Sequence, residues 1–215
     1  MTFKAVAFDM DGLMFDTEAI YWEAATRLLG RRGFPYTDEL NRRIMGRPPQ
    51  FCFQAMIAEY ELPDTWQVLQ QESQELFLEL LPTRYAPMPG LHSLLDFLEY
   101  MHIPKAICTS STKRIATAVL AQENMASRFD FILTAEDITH GKPSPDIYLT
   151  AAKRFRIPPN EMIVLEDSVA GCQAAHGADA FCVVVLAEHN RNLDFPLANQ
   201  IVTSLALVEP LINAS

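Results

Sequence analysis

Two aspartates separated by one residue, Asp9-Met10-Asp11, are followed at once by Gly12. On an extended backbone, residues two apart project to the same side, so both carboxylates face one small volume. They repel there unless a cation or a proton sits between them. The pair therefore points either to a cation site with acid–base chemistry or to a turn that an Asp side chain caps. A calcium loop of the EF-hand kind is excluded: Leu13 stands at its fifth position, Met14 at its glycine position and Ile20 at its closing glutamate position.

Three further groups have chemistry to offer. The hydroxyls of Thr109-Ser110-Ser111, ahead of a helical pattern, either cap that helix or share with its N–H groups and dipole the holding of a phosphate. In Gly141-Lys142-Pro143-Ser144-Pro145-Asp146, Ser144 reads as an N-cap and Pro145 as a first helical residue. That leaves Lys142 unexplained, as a solvated loop cation or as the charge that offsets clustered carboxylates and bridges them to a phosphate. In Glu166-Asp167-Ser168, capping of the next helix uses one carboxylate, and the second suits a hard divalent cation that prefers oxygen ligands.

What must position these groups is a sheet. Apolar runs at 3–9, 104–109, 129–134, 162–166 and 181–185 read as buried parallel strands, and each group lies after one of them. Helical patterns occupy 90–102, 113–123, 145–155 and 168–177. In the first, Leu91, Leu94, Leu95, Leu98 and Met101 have the spacing of one helix face. The alternation predicts an α/β fold with a doubly wound parallel sheet and a site at the carboxyl ends of its strands.

Residues 17–82 break this rhythm. They hold helical stretches rich in Glu, Gln, Leu and Ala, interrupted at Gly33-Phe34-Pro35, Pro48-Pro49 and Leu62-Pro63-Asp64, and no convincing strand. The expected organisation is an α/β core of residues 1–16 and 83–215, with a small helical domain of residues 17–82 inserted after the first strand. Pro82, Pro87 and Pro89-Gly90 read as the stiff linker that returns the chain to the core. No internal repeat or low-complexity segment is visible.

Composition bounds the function. Of the 215 residues 49% are hydrophobic and 20% charged, an ordinary balance for a chain that buries a core. No run approaches the roughly 18 apolar residues of a membrane span, and no signal core follows the N-terminus. A formal charge of −10 repels nucleic acid and anionic membrane, so an anionic substrate needs a local cation. Cys52, Cys108, Cys172 and Cys182 form no CxxC pair or zinc-type spacing and read as buried reduced thiols of a cytoplasmic protein.

FDMDG at 8–12, CTSS at 108–111, HGKPSPD at 140–146 and LEDSVAG at 165–171, in that order, resemble the four motifs of the haloacid dehalogenase-like (HAD) hydrolase superfamily. The resemblance covers nearly the whole chain and implies a Rossmann-like core. Residues 17–82 resemble the helical cap of one branch, and IMGR, MPG and HGKPSPDIYLTAAKRF are similar to its sugar-phosphate phosphatases and pseudouridine 5′-phosphatases. The β-phosphoglucomutases are neighbours.

The resemblance implies that Asp9 is a nucleophile that becomes an aspartyl phosphate and that Asp11 is the general acid and base. Thr109, the Ser110 backbone and Lys142 would bind the phosphoryl group. Asp9, Asp167 and the Asp11 carbonyl would hold Mg²⁺, with Glu166 in support. The implied function is Mg²⁺-dependent hydrolysis of a small phosphate monoester, a sugar phosphate or nucleoside-type phosphate. A phosphomutase is the alternative, weakened because Tyr21 stands where those relatives have a cap histidine. A dehalogenase, which lacks the second aspartate and Mg²⁺, and a non-catalytic interaction protein rank lower. Arg47 and Glu18 are the candidate substrate residues, Arg47 reading equally as a solvated surface side chain. The expected partner is a small phosphorylated metabolite, with no nucleic acid or membrane, and the expected state is a cytoplasmic monomer or weak homodimer.

Overall fold

A computed structural model describes residues 3–45 and 47–213. The chain forms two compact units, one of Met1–Asp16 with Ala86–Ser215 and the other of Thr17–Tyr85. The first is built on six parallel strands, β1 (Ala5–Phe8), β2 (Lys105–Cys108), β3 (Phe131–Leu133), β4 (Met162–Glu166), β5 (Phe181–Val185) and β6 (Gln200–Val202). Their order is β3-β2-β1-β4-β5-β6. Every residue of β1, β2 and β4 is buried, as strands covered on both faces must be. From β1 the chain builds outward to β2 and β3 on one side and to β4, β5 and β6 on the other. The order thus reverses between β1 and β4, the kind of switch point at whose carboxyl ends doubly wound sheets place their sites.

The apolar runs give the first five strands. The short β6 was not expected, because its three residues are exposed or half-buried and carry no apolar run. Its backbone pairs with the edge of β5, Val184 opposite Ile201.

The helical unit contains α1 (Glu18–Gly30), α2 (Asp38–Ile44), α3 (Pro49–Tyr60) and α4 (Trp66–Arg84), with no strand among its described residues. The three expected breaks fall between helices, and Pro49 opens α3 at a position where its missing N–H costs nothing. Arg32 joins Asp64 at 2.9 Å and Glu72 at 2.8 Å, a fork that ties the end of α1 to the start of α4. Pro82 is not linker: α4 runs through it to Arg84. The buried face of Leu76, Phe77, Leu80 and Leu81 holds the last turn in register against the roughly 3 kcal/mol that an interior proline costs.

The core helices are α5 (Leu91–Tyr100), α6 (Lys113–Ala121), α7 (Asp146–Phe155), α8 (Val169–Gly177) and α9 (Glu209–Asn213). On α5, Leu91, Leu94, Leu95 and Leu98 are buried, each stabilising by about 1.5–3 kcal/mol, whereas Met101 lies beyond the helix and is exposed. α7 starts one residue later than expected. Pro145 takes the N-cap position, and the Ser144 hydroxyl donates to the Asp146 carboxylate at 2.7 Å, a charged acceptor that outcompetes a helix cap. Cys108, Cys172 and Cys182 are buried free thiols. Cys52 is only half-buried, because its thiol faces the end of α2 and donates to the Ile44 carbonyl at 3.3 Å.

Candidate active site

Asp9 follows β1 directly, and its N–H donates to Leu165 O of β4 at 2.9 Å, which seats it at the reversal of strand order. The loop after it is anchored by Met10, Leu13, Met14 and Phe15, all fully buried. Gly12 turns that loop with φ +77, and a Cβ on it would lie 2.2 Å from Asp167 Oδ2. Both facts require glycine. The loops after β1 and β4 therefore press together, which brings the two acidic motifs into one site.

Lys142 is buried, and its ammonium donates to Asp9 Oδ1, to Glu166 Oε1 at 2.7 Å and to the Cys108 carbonyl at 3.0 Å. Those three acceptors use all three of its protons. Burial alone would lower its pKa, but the Asp9 and Glu166 carboxylates outweigh that and hold it charged. Glu166, with no exposed surface, also accepts from Tyr148 Oη at 2.5 Å, from Ser168 Oγ at 3.0 Å and from the N–H groups of Asp167 and Ser168 at 3.2 and 3.3 Å. Protein donors thus saturate this carboxylate, whose work is to fix Lys142 and the turn into α8. Ser168 caps that helix as expected, accepting from Gly171 N at 3.0 Å.

Gly171 leaves room for this arrangement. A Cβ there would sit 1.8 to 2.1 Å from Glu166 carboxylate atoms. Gly171→Ala is expected to destabilise the protein by about 1–3 kcal/mol through forced displacement of Glu166. Thermal denaturation checks this, and an unchanged midpoint would show that the carboxylate is free to move.

Thr109, Ser110 and Ser111 do not cap α6. That helix starts at Lys113, whose N–H is taken by the Glu136 carboxylate at 3.0 and 3.1 Å. The Thr109 and Ser111 hydroxyls instead donate to Asp11 Oδ2 at 3.2 and 2.7 Å, while Ser110 lies exposed between them. The Asp167 carboxyl shares a hydrogen bond with His189 Nε2 at 2.7 Å, and its carbonyl accepts one from Asn190 at 2.8 Å. Ser111, Tyr148, His189 and Asn190 were not among the expected site residues. Ser111 lay within a motif already singled out, but nothing in the sequence marks the other three, which reach the site only through folding. Glu18, half-buried at the start of α1, and Arg47, exposed with its guanidinium over the Phe51 ring at 5.4 Å, both belong to the helical unit.

Oxygen atoms of Asp9, Glu166 and Asp167 all lie within 4.8 Å of one another. Burial is the main reason that the carboxyls of Asp9 and Asp167 are pushed well above the usual range; their neighbours Glu166 and Asp11 add to it and Lys142 opposes it. The cluster is short of positive charge, and its donors are all oxygen. A hard divalent cation fits both needs.

A family model for haloacid dehalogenase-like hydrolase matches residues 6–185. The chain belongs to that family. This hydrolase is 35% identical over 179 residues to the phosphorylated carbohydrates phosphatase of Thermotoga maritima, covering 81% of each chain. It is 33% identical over 209 residues to a Drosophila melanogaster protein named "Probable pseudouridine-5'-phosphatase", covering 94% of this chain and 90% of that one. Among solved structures it is similar to CbbY from Rhodobacter sphaeroides in complex with phosphate, with TM-score 0.86, 25% identity and coverage of 95% and 96%. With such relatives the hydrolase is an enzyme of the phosphatase kind.

Proposed function

We propose that this phosphatase hydrolyses a small phosphate monoester, a sugar phosphate or nucleoside-type phosphate, through an aspartyl phosphate on Asp9, with Mg²⁺ as cofactor. The observation that carries the reading is the meeting of Asp9, Asp11, Lys142 and Asp167 at the carboxyl ends of β1 and β4, with Asp9 clamped by Lys142 and Asp11 held by two hydroxyls. The names of the relatives support the substrate class.

In the first step an Asp9 oxygen bonds to phosphorus as the ester oxygen leaves, and Asp11 gives that oxygen a proton. In the second, Asp11 takes a proton from water, the water oxygen bonds to phosphorus, and the bond to Asp9 breaks. Each proton transfer supplies roughly 10²–10⁴ in rate. Lys142 orients Asp9 and attracts the phosphoryl oxygens, joined by Thr109 and the Ser110 backbone. Asp9, Asp167 and the Asp11 carbonyl would hold Mg²⁺, which supplies positive charge against that of the phosphate. Glu166 supports the site through Lys142. Glu18 and Arg47, in the helical unit, are the residues proposed to select among esters, that unit acting as a cap.

Hydrolysis is preferred to isomerisation because residue 21 is a tyrosine whose ring packs on Phe77 with centroids 4.6 Å apart, and not an imidazole. Purified protein with Mg²⁺ should release phosphate from members of a panel of sugar phosphates, nucleotides and phosphorylated acids, and a chelator should stop it. Given β-glucose 1-phosphate with a bisphosphate primer, it should form no glucose 6-phosphate above background. Release from no member, or full release in excess chelator, sinks the reading; rapid glucose 6-phosphate formation makes the enzyme a mutase.

A further inference from the structure

We propose that His189 is a positioning residue for the cation site: it holds the Asp167 carboxylate in place before Mg²⁺ arrives, and Asn190 fixes the loop that carries it. The inference rests on the Mg²⁺-dependent reading above. It starts from the loop after β5, which carries no acidic motif.

Asn190, buried to 1% exposure, donates to the carbonyls of Asp167 at 2.8 Å and Val185 at 3.0 Å and accepts from Ala187 N at 2.7 Å. One side chain thus closes the loop on itself and ties it to the backbone of Asp167. The next residue back then has little choice of place. Its Nε2 lies 2.7 Å from Asp167 Oδ2, and toward the ionised carboxylate that a cation requires, which only accepts, Nε2 is the donor.

On its other side the same nitrogen would lie 3.0 Å from a Cβ on Gly12, so the ring tip rests against the loop of Asp9 and Asp11. His189 therefore stands between the two segments that carry the cation's proposed ligands. It is not itself one of the close group: the oxygens that lie within 4.8 Å of one another come from Asp9, Glu166 and Asp167 alone among the described residues. A hydrogen bond from a neighbouring imidazole orients a ligating carboxylate and removes rotational freedom that cation binding would otherwise cost.

The test is calorimetric titration of the metal-free protein with Mg²⁺, without substrate, for wild type, His189→Ala and His189→Gln. His189→Ala is expected to weaken binding about 10–100-fold, the usual effect of losing such a partner. His189→Gln, whose amide N–H also reaches a carboxylate, should recover most of the affinity. Equal or tighter binding by His189→Ala overturns the proposal, tighter binding meaning that the imidazole competes with the cation. A glutamine variant far weaker than wild type overturns it too, because the hydrogen bond is then not the agent; that comparison also serves if the alanine variant does not fold. Failure of wild type to bind Mg²⁺ sinks the metal reading itself, and a bound wild type with an unaffected variant sinks only this inference.

Discussion

Asp9→Asn is expected to lower phosphate release on the order of 10⁵-fold or more, the scale seen when a covalent nucleophile is removed, while the protein still folds. The amide is nearly isosteric and its oxygen still accepts from Lys142, but it does not attack phosphorus. Stability should hold, because Lys142 keeps its pairing with Glu166 at 2.7 Å and its bond to the Cys108 carbonyl at 3.0 Å. Asp11→Asn should cost only about 10²–10⁴ and leave phosphorylated protein detectable by mass, since Asp9 can still attack while both proton transfers fail. The measurement is single-ester kinetics at saturating Mg²⁺ beside thermal melting. An Asp9→Asn enzyme as fast as wild type would end the covalent mechanism.

Lys142→Met is expected to remove activity and to lower stability by about 3–5 kcal/mol, the cost of breaking a buried ion pair from one side. Methionine fills much of the volume, so the loss is electrostatic. The substitution deletes the positive charge shared by Asp9 and Glu166 and orphans the Cys108 carbonyl. Glu166, with no exposed surface, has no water to turn to. For a chain of this length the melting midpoint should fall by about 6–20 °C. Mg²⁺ stabilises any variant that binds it, so the mark of an electrostatic loss is a larger Mg²⁺-induced rise in midpoint for Lys142→Met than for wild type. A midpoint equal to wild type, with or without Mg²⁺, would show that the carboxylates share protons and do not depend on the lysine.

The four motifs were legible because each lies beside a strand whose apolar run is unmistakable, and a parallel sheet places the residues after its strands along one edge. Residue type and strand spacing alone thus put Asp9, Lys142, Glu166 and Asp167 along that edge. Helix starts were less legible. Thr109-Ser110-Ser111 has the composition of a cap, yet Glu136, distant in sequence, occupies the N–H of Lys113, and the hydroxyls turn to Asp11. Pro82 has the composition of a break, yet the buried leucines of α4 carry the helix past it.

By itself the sequence determined the strand and helix alternation, the inserted helical segment and the identity of the acidic and basic groups, since periodicity and residue type are local properties that burial and charge then enforce. Only the tertiary structure decided which of those groups touch. The donors that Lys142 and Tyr148 bring to Glu166 and the hold of His189 and Asn190 on Asp167 join residues from different strands and loops. The reason is physical: a buried carboxylate must collect its donors from whatever the fold brings within about 3 Å, and one-dimensional spacing carries no information about such distances.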